Sequence, residues 1–397
     1  MNVLYLSYDG ALDPLGRSQI LPYLEGLSKR GHSFDLISFE KPRRFRDVED
    51  RQGVERRLRA SSIRWHPLRY HSRLSALATA YDLARGLVVG AALTPAKRID
   101  LIHARSYPAT LIAWSLSRAF GIPFIFDMRG LYADERTDGG IWPPGGTLYR
   151  MTKSLERVFL RDARGLVTLT HASVPTLLKW LGEAGGRATP TVIPTCVDTE
   201  RFRPPATQKA EGFTFSYVGS IGTWYLLDEM LAFGRCLLDT YADARLRFIT
   251  NNGADEIREG ARRHGIDGSR LLLSSVPHEE VPRALAGSAA TLHFIRPTFS
   301  KQASAATKFA ESLALGLPVV LNPGIGDVAQ IARERGVGVI LDEFKPDAFL
   351  AAARAVRALA ADPGVAARCR QTAIDYFSLS TGVERYAALY EAVTGQA

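Results

Sequence analysis

Read from the N-terminus, the chain alternates short apolar runs with longer stretches in which apolar residues recur every three or four positions. Residues 3–7, 33–38, 101–104, 124–127, 165–170 and 191–194 have the length and continuity of strands buried on both faces, and 63–65 is a shorter one. Helical spacing joins them at 19–30, 108–120, 148–162 and 172–181. Across 74–92 it forms a stripe of Leu74, Leu77, Ala78, Tyr81, Ala84, Val88 and Ala91, with Arg73 and Arg85 off it. The charged segment 41–62 reads as a loop with a short helix. The Gly- and Pro-rich segment 131–146 reads as an irregular loop. The alternation starts again at 213–218 and continues with strands at 246–250, 270–273, 290–294, 318–321 and 337–341. Helices follow at 226–240 and 383–392. At 397 residues the chain is too long for one ordinary domain, so the pattern predicts an α/β fold of two doubly wound domains.

One stretch, 304–326, organises the rest. Ser304 is placed to N-cap a short helix, which Gly316 and Pro318 end. On that helix Thr307, Lys308 and Glu311 share an arc of about 100°, while Ala306, Phe309, Ala310 and Leu313 face the other way. Free amides at a helix start suit a diphosphate, and Lys308 adds a cation. Glu311, one turn on, offers two acceptor oxygens to a vicinal diol. A glycine loop with Gly324 and Gly326 closes the stretch. The alternative is an ordinary amphipathic helix with a solvated polar edge.

Ligands of open parallel sheets gather at the carboxyl ends of the strands. The loop after the first strand lacks the G-x-G-x-x-G dinucleotide fingerprint, but Gly16 and Arg17 sit just before a helix start. His103 lies near one strand end, and Asp127 with Arg129 at another. Such a His is often structural, and the Asp and Arg also suit pairing with each other. Asp134 lies in the 131–146 loop, a candidate lid over an acceptor or a plain surface loop. In the second half Gly219 and Gly222 follow a strand, where backbone amides can form an anion nest. Lys301 lies in the loop before the organising stretch.

The net charge of +9 is unevenly placed: +10 over 1–195 and −1 over 196–397, with +7 inside 41–73. A basic region seeks an anionic surface, a lipid diphosphate or nucleic acid. No nucleic-acid motif is present, so nucleic acid is not expected as a partner. Beside the basic segment the 74–92 stripe suits either core packing or rest on a membrane. No run is long enough to span a membrane, and the start enters a strand without a basic leader. Cys196, Cys236 and Cys369 are scattered, with no metal or disulfide spacing. A cytoplasmic protein is expected, with peripheral association at the inner face of the plasma membrane as an option.

The run from Glu311 through Gly316, Pro318, Val319 and Val320 resembles the signature of the family 4 glycosyltransferases of GT-B fold, in which the glutamate binds the donor ribose. The loop 9–19 is similar to that of transferases from bacterial surface-polysaccharide (capsule, O-antigen, exopolysaccharide) clusters. The segment from Ile193 to Phe202 resembles the family's interdomain crossing. The resemblance implies two Rossmann-like domains facing a cleft. Residues 1–198 would bind the acceptor and 199–377 the donor, with the helix of 378–397 packing back on the first domain. It implies retention at the anomeric carbon, no metal and no cofactor, since the nucleotide, UDP- or GDP-sugar, is the substrate. The donor set would be Glu311, Lys308, Thr307, Ser304, Gly219, Gly222, Lys301, Gly324 and Gly326. Gly16, Arg17, Arg129 and Asp134 would face the acceptor. Asp127 or His103 would orient acceptor or sugar. The acceptor would be a saccharide, including one linked to polyprenyl diphosphate. Two positions depart from the family pattern. Ala303 stands where a first glutamate is usual, and 220–225 hold no Arg or Lys diphosphate clamp, a charge left for Lys301 or Lys308. The competing readings are a non-catalytic GT-B partner subunit and a sugar-nucleotide epimerase of that fold.

Overall fold

A computed structural model describes residues 1–71, 75–204 and 212–395. Leu74 of the stripe, Arg73 beside it, Pro205 and Glu211 of the linker, and the last two residues lie outside the described residues. Strands β1 (Asn2–Ser7), β2 (Ser33–Glu40), β3 (Ile63–Arg69), β4 (Leu101–Arg105), β5 (Phe124–Asp127), β6 (Gly165–Thr168) and β7 (Pro190–Val192) form one parallel sheet, ordered β3-β2-β1-β4-β5-β6-β7. A second parallel sheet holds β8 (Phe213–Val218), β9 (Ala244–Ile249), β10 (Leu271–Ser274), β11 (Ala290–His293), β12 (Val319–Leu321) and β13 (Gly338–Ile340), ordered β10-β9-β8-β11-β12-β13. In each sheet the order reverses once. In the first, Val3 of β1 pairs with both Phe34 and Leu101; in the second, Phe215 of β8 pairs with both Leu246 and Ala290. These reversals, β1/β4 and β8/β11, are the switch points at which doubly wound sheets bind ligands.

Strand side chains alternate between faces, so an all-apolar strand buries both. Phe213, Phe215 and Tyr217 of β8 enter one core with Leu246, Phe248 and Val320. Val218, Ile249, Val319 and Leu321 enter another, with Phe309 and Leu313 of the helix Thr307–Ala314. The chain divides into two units: Met1–Pro194 with Leu379–Ala397, and Thr195–Ser378. The sequence reading drew the division at 198/199 and 377/378.

Several elements differ from the sequence reading. Segment 41–62 contains a full helix, Val48–Ala60, capped by the Asp47 carboxylate accepting from Asp50 N, with only Val54 and Leu58 buried. Two buried residues four apart suffice to seat a helix that is otherwise polar. Segment 131–146 starts with the helix Tyr132–Asp138, whose first turn carries Asp134 and Glu135 at its positive end. The first helix is broken into Pro14–Gln19 and Leu21–Ser28. The stripe lies on the helix Ser75–Ala96, but Leu77, Tyr81, Ala84 and Val88 stand in solvent. Its inner face is made of small residues. A Cβ on Gly86 would lie 2.7 Å from Ile112 Cδ1, and one on Gly90 would lie 2.7 Å from Leu116 Cδ1.

Candidate functional site

In the second unit, the residues at the β8/β11 switch point come from three segments. The first is the loop after β8. Gly219 takes φ +148°, and a Cβ there would lie 2.6 Å from Lys308 Cε. Only glycine lets that lysine reach the strand end. Gly222 has no such requirement, since a Cβ there meets nothing within 4 Å. The second segment is the turn after β11. Ile295 bridges Tyr225, and Arg296 N donates to Trp224 O at 2.9 Å, which ties the two loops together. Lys301, buried, sets its ammonium 3.7 Å from the Trp224 ring centre, a cation–π contact. Its carbonyl accepts from Gly326 N at 2.9 Å. Gly324 and Gly326 both take left-handed conformations there, at φ +90° and +44°.

The third segment is the helix Thr307–Ala314. Ser304 does not cap it. It ends the preceding 3-10 turn Phe299–Ala303, and Ala306 holds the N-cap position without a side-chain cap bond. A methyl group cannot satisfy the first amides, so this helix start is the more open to an anion. Thr307 is the first helical residue and Lys308 the second. Glu311 is buried, and its Oε1 lies 2.8 Å from His278 Nε2. His278 in turn packs on the Phe202 ring. Sequence reasoning missed this partner because 33 residues separate the two; only the fold makes them neighbours. Beneath the site His293 is buried, and burial together with the Lys308 charge pushes its imidazole down to about 3. It therefore stays neutral.

The first unit gathers a different cluster. His103 is in the middle of β4, not at its end, and is fully buried. Its Nδ1 lies 2.6 Å from Tyr390 OH, and its Nε2 lies 3.5 Å from Asp127 Oδ2. Tyr386 OH donates to the same Asp127 oxygen at 2.8 Å. Both tyrosines come from the C-terminal helix Leu379–Thr394. Arg129, at φ +57°, sets a guanidinium nitrogen 3.9 Å from Asp127 Oδ1. Burial alone would raise the Asp127 carboxyl; Arg129, His103 and Arg105 outweigh it and hold it below the usual carboxylate range. Asp127 and Arg129 thus pair, as one reading of their spacing allowed.

The acceptor-side candidates are engaged within the same unit. Gly16 lies inside a helix, where a Cβ would sit 2.1 Å from Gly10 O, so its close approach is to the chain itself. Arg17 pairs with Asp50 and donates to Leu12 O at 3.3 Å. The amides of Ala11 and Leu12 donate to the buried Glu40 carboxylate at 2.7 and 3.1 Å, an internal anion in the loop. Asp134 accepts from Tyr149 OH at 3.0 Å and Lys153 at 3.3 Å.

Residues 17–196 match the model of the glycosyl transferase 4-like domain. The chain has the GT-B fold, and its first half is similar to that glycosyltransferase domain. The match ends at Cys196, so for the second unit the likeness is one of fold alone. Sucrose-phosphate synthase from Thermosynechococcus elongatus superposes with a TM-score of 0.73 at 15% identity, covering 100% of both chains. A glycosyltransferase from Rickettsia africae gives 0.72 at 12% identity, covering 100% of this chain and 99% of its own. HepE of Anabaena, in complex with UDP and glucose, gives 0.69 at 14% identity, covering 98% and 99%. No curated protein sequence matches the chain significantly. At these identities the family resemblance lies in backbone architecture, and residue roles must come from the site.

Proposed function

We propose that the chain is a retaining, metal-independent glycosyltransferase. It moves a sugar from a nucleoside-diphosphate sugar to a saccharide acceptor, linked to polyprenyl diphosphate, in cytoplasmic synthesis of a cell-surface polysaccharide. The observation that carries the donor reading is Lys308 lying against Gly219 at the β8/β11 switch point, with Glu311 one turn further on. In this reading the diphosphate meets the uncapped helix start and Lys308, with Lys301 nearby. Glu311, oriented by His278, accepts from the ribose hydroxyls. The amides and cations act where charge grows on the leaving phosphate, the place at which they lower the barrier. The acceptor hydroxyl attacks the anomeric carbon on the face the diphosphate leaves, and its proton passes to the departing phosphate oxygen. No side chain acts as nucleophile. His103 and Asp127, buried behind the C-terminal helix, serve as positioning residues for Arg129 and that helix.

HepE was solved with UDP, which favours uridine over guanosine as the donor base. Calorimetric titration of UDP and GDP into the chain and into Glu311→Ala tests the reading. UDP is expected to bind the native chain and to bind the variant at least tenfold more weakly, the loss of a charge-assisted hydrogen bond of about 1.5–3 kcal/mol. Binding of neither nucleotide would favour the partner-subunit reading. UDP-sugar turnover without acceptor would favour the epimerase.

A further inference from the structure

The helix Ser75–Ala96 turns to solvent the kind of face that soluble helices hide. At 100° per residue Leu77, Tyr81, Ala84, Leu87, Val88 and Pro95, with the alanines between them, fall within an arc of about 140° that contains no charge. The arc is about 27 Å long at 1.5 Å per residue. Leu77 is 73% exposed, Tyr81 55%, Leu87 36% and Val88 70%. The opposite side is committed to the unit's own core through Ala78, Gly86 and Gly90. Asp82, the helix's one acidic residue, is turned inward and buried, and it accepts from His71 N at 2.9 Å. Cations border the arc. Arg85 lies 5.8 Å from the Tyr81 ring centre, and Lys97 and Arg98 follow the helix end. Among the described residues no helix is long and apolar enough to cross a membrane.

We propose that this face lies in the interfacial layer of an anionic lipid membrane, the arc in the acyl boundary and the bordering cations among the headgroups. Charge separates this partner from a second copy of the chain. A two-fold axis across the arc at its mid-height, the level of Gly86 on the far side, would set Arg85 against its own copy. The arc is also narrow. At roughly 10 Å wide it offers on the order of 300 Å² per copy, against about 800 Å² for a stable dimer. A lipid surface meets the same cations with opposite charge and sets no lower limit on area. The proposal deepens the lipid-linked reading of the acceptor and rests on it only for what the membrane carries.

The test is co-sedimentation of the full chain with phosphatidylcholine vesicles, with and without phosphatidylglycerol, over a range of salt. The native chain is expected to sediment with the anionic vesicles, less as salt rises, and little with the neutral ones. The double variant Leu77→Glu/Val88→Glu changes two solvent-facing side chains, so its circular dichroism and UDP binding should match the native chain while vesicle binding drops at least tenfold. Leu77→Ser/Val88→Ser should show the same loss without added charge. Equal sedimentation of native chain and variants, or no preference for anionic vesicles, would overturn the proposal. So would a native dimer that the variants convert to monomer, since the face would then belong to a second copy. If UDP fails to bind while vesicle binding follows the expected pattern, the transferase reading falls and the membrane face stands.

Discussion

His293 shows how burial sets chemistry at a single residue. Its imidazole, pushed down to about 3 by burial and by Lys308, stays neutral in the fold, whereas the unfolded chain protonates it near 6.5. Unfolding therefore takes up a proton between those values. The stability of the second unit should be fully present above pH 6.5 and fall as the pH drops below it, by up to about 1.4 kcal/mol per pH unit from this group. His293→Asn should flatten that slope, which urea unfolding at pH 7, 6 and 5 would measure. The same run of residues shows the reach of sequence reasoning at this scale. Lys308 and Glu311 were legible because they share a helix and their spacing is local. The His278 partner was not, because nothing local joins positions 278 and 311. His103 was read as facing a ligand because strand ends are hard to place from sequence alone. Two residues of register decide between the end of β4 and its buried middle.

Among elements, the contact between the loop after β8 and the helix Thr307–Ala314 matters most to the proposed activity. Gly219 is required twice over, by its left-handed φ and by Lys308 Cε 2.6 Å from its absent side chain. Gly219→Ala should displace Lys308 and weaken UDP binding at least tenfold. Titration of UDP into that variant checks this, with its melting temperature as the control for folding. Elsewhere the element reading failed where polarity hid a helix. Val48–Ala60 and Tyr132–Asp138 each bury only two residues, too few to form a visible stripe. On Ser75–Ala96 the stripe was visible, and of its two readings, core packing and an outward face, its bulky residues take the outward one. Its bulky residues face out because Gly86 and Gly90 let it pack closely on the helix Ser106–Phe120.

For the whole molecule, the two units differ in how the chain builds them. Thr195–Ser378 is one continuous segment and contains every residue of the proposed donor set. It closes on itself through the Val197–Ser378 bridge. The other unit joins 1–194 to 379–397, with Tyr390 bonded to His103 and Tyr386 to Asp127. A fragment of 195–378 is expected to fold and bind UDP as the full chain does, with circular dichroism and calorimetry as the readouts. Truncation after Ser378 should leave buried polar groups of the first unit without partners and make that unit protease-sensitive.

The alternation of strand and helix, the two-domain length, the polar trio on one helix and the concentration of positive charge in the first half are all properties of neighbours along the chain. Local periodicity and composition determined them. The pairing of Glu311 with His278, the approach of Lys308 to Gly219, the burial of His103 and Asp127 and the outward turn of the Ser75–Ala96 stripe join residues far apart in sequence or depend on which face packs. Only the tertiary structure decided those, because packing, not propensity, chooses which side of an element meets the core.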